Sequence, residues 1–263
     1  MRRNIRKIIA LALVLCSLAG LIYPAMPEAS AEIETNQEAL GEILRSDMNI
    51  PGAVEMVVKD GREYLIAPIK GGRLYVLSVT DYLEGKTNQQ GNYIYDKVDN
   101  GINVPRGLAF DSQGNYYIAG DSSKVFWYNI HTGDSGNIET DASGLMTVCV
   151  DENDNVYIGG KLNNRGVIYK IAAGTKQAAE LCRIADYTTV QAMAWGDGKL
   201  FAHGPVVNTV GTGSQTRMLN RTGELVATYS TPVSGGSYYL SYVGGVVFYG
   251  LTTVATKIGR AHV

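Results

Sequence analysis

Apolar residues along this chain fall in short runs separated by polar turns, and the spacing of the runs repeats. "GLAFDSQGNYYIAGDSSKVFWYNIHTGD" begins at Gly107 and "TVCVDENDNVYIGGKLNNRGVIYKIAAGT" at Thr147. Each has an apolar strand, a polar turn, a second strand ending in small residues, a loop and a third strand. Each then reaches a glycine turn, at His131-Thr132-Gly133-Asp134 or Ala172-Ala173-Gly174-Thr175. Fainter copies lie at Val54 to Val79, Ala192 to Gly204 (joined later by Arg217 to Ser230) and Tyr239 to Leu251. Anchored on their second strands, Leu65, Tyr117, Tyr157, Phe201 and Phe248 stand 52, 40, 44 and 47 residues apart. The Asp, Asn and Gly residues between runs tolerate the positive φ that tight hairpins need.

That spacing suits four short antiparallel strands per unit. A four-stranded unit cannot bury both of its faces alone, and stacking units radially buries each sheet against its neighbours. The expected fold class is therefore all-β, a β-propeller of four-stranded antiparallel blades. About four to five blades are present, as an incomplete ring. A β-helix would need a shorter period, and a sandwich would need no repeat. Innermost strands are predicted near 54–58, 107–110, 147–150, 191–195 and 239–242.

Two copies read Asp111-Ser112-Gln113-Gly114-Asn115-Tyr116-Tyr117-Ile118 and Asp151-Glu152-Asn153-Asp154-Asn155-Val156-Tyr157-Ile158. They match D-x-x-G-N-x-Y-[IV], and the pattern resembles the NHL and gluconolactonase-like secreted propellers. Gly159-Gly160 after an apolar strand is also similar to Kelch blades, without the Kelch Trp. The resemblance covers residues 53–256 and implies a fold rather than an activity, because propellers host many. Its gluconolactonase-like members imply a Glu with Asp or Asn oxygens on a divalent cation; here only Glu55 offers a carboxylate at the aligned positions, so no metal and no cofactor are expected.

The ends of the chain differ from its body. Arg2, Arg3, Arg6 and Lys7 precede an uncharged apolar run from Ile8 to Ile22, and Ala29-Ser30-Ala31 supplies the small residues of a cleavage site. Residues 1–31 read as a secretory signal peptide cut after Ala31, which makes the mature protein secreted. Residues 32–52 read as a linker with a short helix, capped by Thr35-Asn36-Gln37-Glu38. Residues 53–257 form the blades. The last six residues, Ile258 to Val263, are what ATC GGA AGA GCA CAC GTC encodes, and that DNA resembles the start of a common short-read sequencing adapter. The expectation is that 258–263 are an artefact, that further blades are missing, and that Gly244 to Leu251 presents an unpaired strand edge.

Composition narrows the partners. The net charge of −2 becomes −5 without residues 1–31, which disfavours nucleic acid. No long apolar segment follows the signal, so no membrane span is expected after its removal. Cys149 and Cys182 are placed on an inner and an outermost strand of one blade, too far apart to bond. Tyrosine is abundant (17) and tryptophan scarce (2), which suits exposed sheets, interfaces and sugar contacts as well as ordinary strands.

In a propeller the innermost strands line the central channel and their first residues face one mouth. Aligning the blades gives Glu55, Arg106, Thr147, Gln191 and Tyr239 there, each polar or hydroxyl-bearing before an apolar run. Such a ring could bind a polar ligand, with Arg106 holding a carboxylate and Glu55 accepting hydroxyls, or it could simply cap the channel and meet water. The sequence has no G-x-S-x-G elbow and no phosphate loop. "DENDN" departs from a calcium loop at Val156, where glycine should stand. The functional expectation is a secreted binding module for carbohydrate or a cell-envelope partner. The alternative is a polysaccharide lyase or lactonase whose remaining catalytic groups lie in the missing blades.

Overall fold

The computed structural model describes residues 55–59, 61–69, 73–79, 81, 92–95, 102, 104–207, 213–230, 237–251 and 260–262. Five antiparallel sheets follow one another along the chain, each a simple meander. The first holds β1 (Glu55–Lys59), β2 (Arg62–Ile69), β3 (Arg73–Ser78) and β4 (Asn92–Tyr95). The second holds β5 (Pro105–Phe110), β6 (Asn115–Gly120), β7 (Lys124–Asn129) and β8 (Ser135–Glu139). The third holds β9 (Gly144–Val150), β10 (Val156–Leu162), β11 (Arg165–Ile171) and β12 (Ala178–Ile184). The fourth holds β13 (Ala192–Gly196), β14 (Lys199–Pro205), β15 (Ser214–Leu219) and β16 (Leu225–Ser230). The fifth holds β17 (Ser237–Val243), β18 (Val246–Leu251) and β19 (Arg260–His262). Apart from a helical turn at Val79 and Asp81, the regular structure of the described residues is all strand.

The first strands pack side by side in chain order: β1 against β5, β5 against β9, β9 against β13, and β13 against β17. This is the radial arrangement of a β-propeller, and each predicted inner strand is the first strand of its sheet. Burial follows the radius. β6 is buried along nearly its whole length (Tyr116 to Gly120), because a neighbouring blade covers each face. The outermost β12 and β16 are mostly exposed or half-exposed, as strands with one free edge must be.

The core is divided among the seams between blades. Ala119, Val125, Leu145, Ile158 and Val167 fill the seam between the second and third blades. Tyr157, Ile168, Tyr187, Met193, Leu200 and Leu219 fill the next. Aromatic stacking recurs there: Tyr157 lies on Trp195 with centroids 5.1 Å apart, and Phe201 on Tyr242 at 5.3 Å. Each such pair is worth about 1 kcal/mol beyond the area it buries. Two glycines let backbones close up. A Cβ on Gly107 would fall 2.7 Å from the Val148 nitrogen, and one on Gly196 would fall inside the Tyr242 ring.

Cys149 on β9 and Cys182 on β12 are not joined by a disulfide, as the strand assignment requires. One expectation changes. Val246–Phe248 is not an open edge: β18 pairs with β17 on one side and, through Val246↔His262, Val247↔Ala261 and Phe248↔Arg260, with β19 on the other. Residues 1–52, where the signal peptide and the capped helix are expected, lie outside the described residues. Among the described residues, no helix is long and apolar enough to cross a membrane.

Candidate functional site

Gly107 lies against Thr147 and Val148, and the turn after β5 meets the turn after β9 through Ser112 and Asp154. The first strands therefore run the same way, and their starts gather at one end, the mouth. Three of the five starts carry a bulge. In the second blade Pro105 pairs with Gly120 and Gly107 with Ala119, so Arg106 is an extra residue. In the third blade Leu145 pairs with Gly160 and Thr147 with Gly159, leaving Met146 extra. In the fifth blade Ser237 pairs with Leu251 and Tyr239 with Gly250, leaving Tyr238 extra. In the fourth blade Ala192 pairs with His203, while the Gln191 nitrogen donates to the same His203 carbonyl at 2.8 Å. Gln191 thus holds the same place. A β-bulge re-aims a side chain and ends regular pairing, and bulges gather beside binding and catalytic sites.

The five expected mouth residues divide against this frame. Arg106 is the bulge residue of its blade, and Gln191 immediately precedes the regular pairing of β13. Thr147 and Tyr239 stand one position later, in register with Gly107 and Ala192. Glu55 opens β1 in regular pairing with Ile66. Thr147 is buried, and its hydroxyl accepts a hydrogen bond from the Met193 nitrogen at 3.1 Å. It ties the third blade to the fourth. Hairpin length does not explain the offset between Arg106 and Thr147, since five residues separate both Phe110 from Tyr116 and Val150 from Val156. In the fourth blade four separate Trp195 from Leu200. A bulge has no sequence signature of its own, so Met146 and Tyr238 escaped notice.

Arg106 does not stand alone. Its Nε and Nη2 donate to the two carboxylate oxygens of Asp121, each at 2.9 Å, in a bidentate pair. Asp121 comes from the β6–β7 loop, and its nitrogen donates to the Val104 carbonyl at the same end of the blade. The side chains of Arg106 and Asp121 remain 30% and 45% exposed. Between the third and fourth blades, Thr189 Oγ1 and Gln191 Oε1 are buried polar atoms with no hydrogen-bond partner among the described residues. Nearby, His203 is buried with Nδ1 3.0 Å from Thr216 Oγ1. Burial pushes its imidazole down to about 4, so it is neutral. Arg217 pairs with Asp186 and stacks over the Tyr187 ring.

At the opposite end sits the repeated decapeptide. Asp111 Oδ1 accepts from the Gln113 and Asn115 nitrogens, and Oδ2 from Asn115 Nδ2 and the Tyr117 hydroxyl. Asp151 repeats this with Asn153, Asn155 and Tyr157. Burial, and then the neighbouring carboxylate, hold both phenols well above their ordinary range. These carboxylates are consumed by their own turns, as a hairpin reading of "DENDN" requires. Among the described residues no three His, Cys, Asp or Glu side chains converge on a metal-sized position. Cations close the seams at this end. Lys176 lies 3.9 Å from the Trp127 ring centre and donates to the Tyr117 hydroxyl, while Arg221 covers Trp195 and pairs with Glu152.

No protein-family model matches the chain, and no curated protein matches it. Among solved structures, the chain is similar to one described as "Crystal structure of Nidogen/Laminin Complex", with a TM-score of 0.56 and 10% identity over 75% of this chain and 70% of that one. At that identity the likeness bears on the fold, and it agrees with the propeller read from the sheets.

Proposed function

We propose that this propeller is a secreted binding module whose mouth end recognises carbohydrate. The observation that carries the reading is the bulge at the start of the first strand in the second, third and fifth blades, with Arg106 among the residues it displaces and Gln191 just before the matching start in the fourth. Polar groups held by rigid strands at one end of a propeller suit a polyhydroxylated ligand, which needs donors and acceptors in fixed positions. Gln191 Oε1, an acceptor without a donor among the described residues, supports this. The signal-peptide pattern of residues 1–31 supports an extracellular setting. The nidogen/laminin structure is a protein complex, which favours a cell-envelope protein as the second reading.

The test is binding of the full chain to a glycan array and to envelope fractions, repeated with Arg106→Ala, Gln191→Ala and the far-end control Arg221→Ala. The mouth variants should lose about tenfold in affinity, the effect of removing one good polar contact, and the control should not. Capture of a protein with no glycan bound would select the second reading. Equal loss in the control would remove the mouth from consideration.

A further inference from the structure

Resting on the carbohydrate reading above, we propose that the ligand is an acidic sugar and that Lys161 takes its carboxylate or sulfate group. The cations at the mouth end differ in what they already hold. Arg106 pairs with Asp121, Lys124 with Glu139 and Arg217 with Asp186. Lys161 is exposed, and its ammonium has no hydrogen-bond or ion-pair partner among the described residues. Its three donors and its full charge are open to a ligand.

The fold aims this side chain at the mouth. Lys161 shares a face of β10 with Tyr157 and Gly159, because alternate residues of a strand point the same way. That face meets the fourth blade: Tyr157 stacks on Trp195, and a Cβ on Gly159 would fall 2.6 Å from Val190 Cγ1. Opposite Lys161 stands Gly144, the first residue of β9. A Cβ on Gly144 would lie 3.4 Å from Lys161 Cε. The lysine stem therefore leans from the second strand of the blade over the start of the innermost one, towards the channel. Two residues already placed at the mouth adjoin it. Met146, the bulge residue of β9, lies two positions after Gly144. The Val190 nitrogen donates to the Gly160 carbonyl at 2.9 Å, which sets Gln191 beside Lys161 along the backbone. An acidic sugar needs this combination. An ammonium is a point charge that meets a carboxylate or sulfate from several directions, and an amide reads a neighbouring hydroxyl. As an exposed side chain without a protein partner, Lys161 contributes little to stability, so its substitution tests binding and not folding.

The experiment measures the affinity of the full chain for oligosaccharides in matched sets: the neutral form, its C6-oxidised uronic form and its 6-sulfated form. The wild-type chain should bind an acidic member about tenfold more tightly than the neutral one. Lys161→Gln should remove that preference and leave the neutral affinity unchanged. Arg165→Gln is the control. Arg165 is also exposed and without a partner among the described residues, and it belongs to the same hairpin. It stands opposite Leu162, on the face that packs towards the second blade, so its loss should shift the acidic affinity by less than about twofold. The tighter of the two acidic members separates carboxylate from sulfate, and either supports the inference. If the wild-type chain shows no acidic preference, or Lys161→Gln keeps it, or Arg165→Gln removes it equally, this inference fails while the carbohydrate reading stands. If no member of any set binds, the carbohydrate reading fails and takes this inference with it.

Discussion

The two decapeptides, Asp111 to Gly120 and Asp151 to Gly160, solve one local problem in two settings. Both place an aspartate where it accepts two backbone N–H groups, an asparagine amide and a tyrosine hydroxyl. They part where the turn meets its surroundings. Gly114 has φ +77, and a Cβ there would fall 2.5 Å from the His131 ring. Asp154 has φ +62, and the turn beside it carries Ala172 and Ala173 instead. Asp154 then reaches the preceding blade, accepting from the Ser112 nitrogen at 2.8 Å and the Ser112 hydroxyl at 2.5 Å. Residues that satisfy the turn recur, and residues that face a neighbour change with the neighbour.

The aspartates should therefore matter unequally. Asp151 is 4% exposed, whereas Asp111 is only half-buried. Asp151→Ala strands several buried donors and should cost about 4 kcal/mol in urea unfolding, and Asp111→Ala about half of that. Equal costs would mean that burial does not set the strength of these networks.

The next effect concerns the place that Ala119 and Gly159 occupy in the two copies. Its counterpart in the fourth blade is His203, by pairing with Ala192 as Gly159 pairs with Thr147. The folded His203 titrates near 4 and the unfolded one near 6.5. Above pH 6.5 neither state binds the proton, and stability is at its full value. Between 6.5 and 4 only the unfolded state takes it up, so stability falls with pH. The loss reaches about 3 kcal/mol below pH 4. His203→Gln should remove that part of the slope, and a variant with the wild-type slope would show that His203 is not the group titrating.

At Gly159 itself, a Cβ would lie 2.6 Å from Val190 Cγ1 and 2.9 Å from Thr147 Cγ2. Gly159→Ala should cost about 2 kcal/mol by overpacking, although Ala119 fits the same place one blade earlier. A neutral substitution would show that the seam at Val190 yields easily.

How much of this was legible follows the same division. Strand positions came through because alternation, turn residues and the Tyr117/Tyr157 anchor are set within one hairpin. That Cys149 and Cys182 are not bonded to each other followed from strand order alone. Thr147 and Asp121 were opaque because their roles depend on neighbours distant in sequence, Met193 in the next blade and Arg106 across a loop. The bulges at Met146 and Tyr238 were opaque for a different reason. They are errors of register between two strands, and nothing in either strand by itself marks them.

The smallest expected effect is the most direct probe of the comparison. Asp154 holds a left-handed conformation that costs a non-glycine residue roughly 1 kcal/mol. Its carboxylate recovers a similar amount through the two bonds from Ser112, which are charge-assisted but exposed. Asp154→Gly, which rebuilds the second-blade version of the turn, should therefore change stability by less than about 0.5 kcal/mol. The cancellation can be opened with a cycle. Ser112→Ala leaves the strain and removes the hydroxyl bond, so it should destabilise the wild-type chain by about 0.5 kcal/mol and the Asp154→Gly chain hardly at all. Asp154→Ala, which keeps the strain and loses both bonds, should cost about 1.5 kcal/mol. If Asp154→Gly proved strongly destabilising, the clasp between the second and third blades would outweigh the strain. The difference between the copies would then be a fastening between blades and not a local substitution tolerated by smaller neighbours.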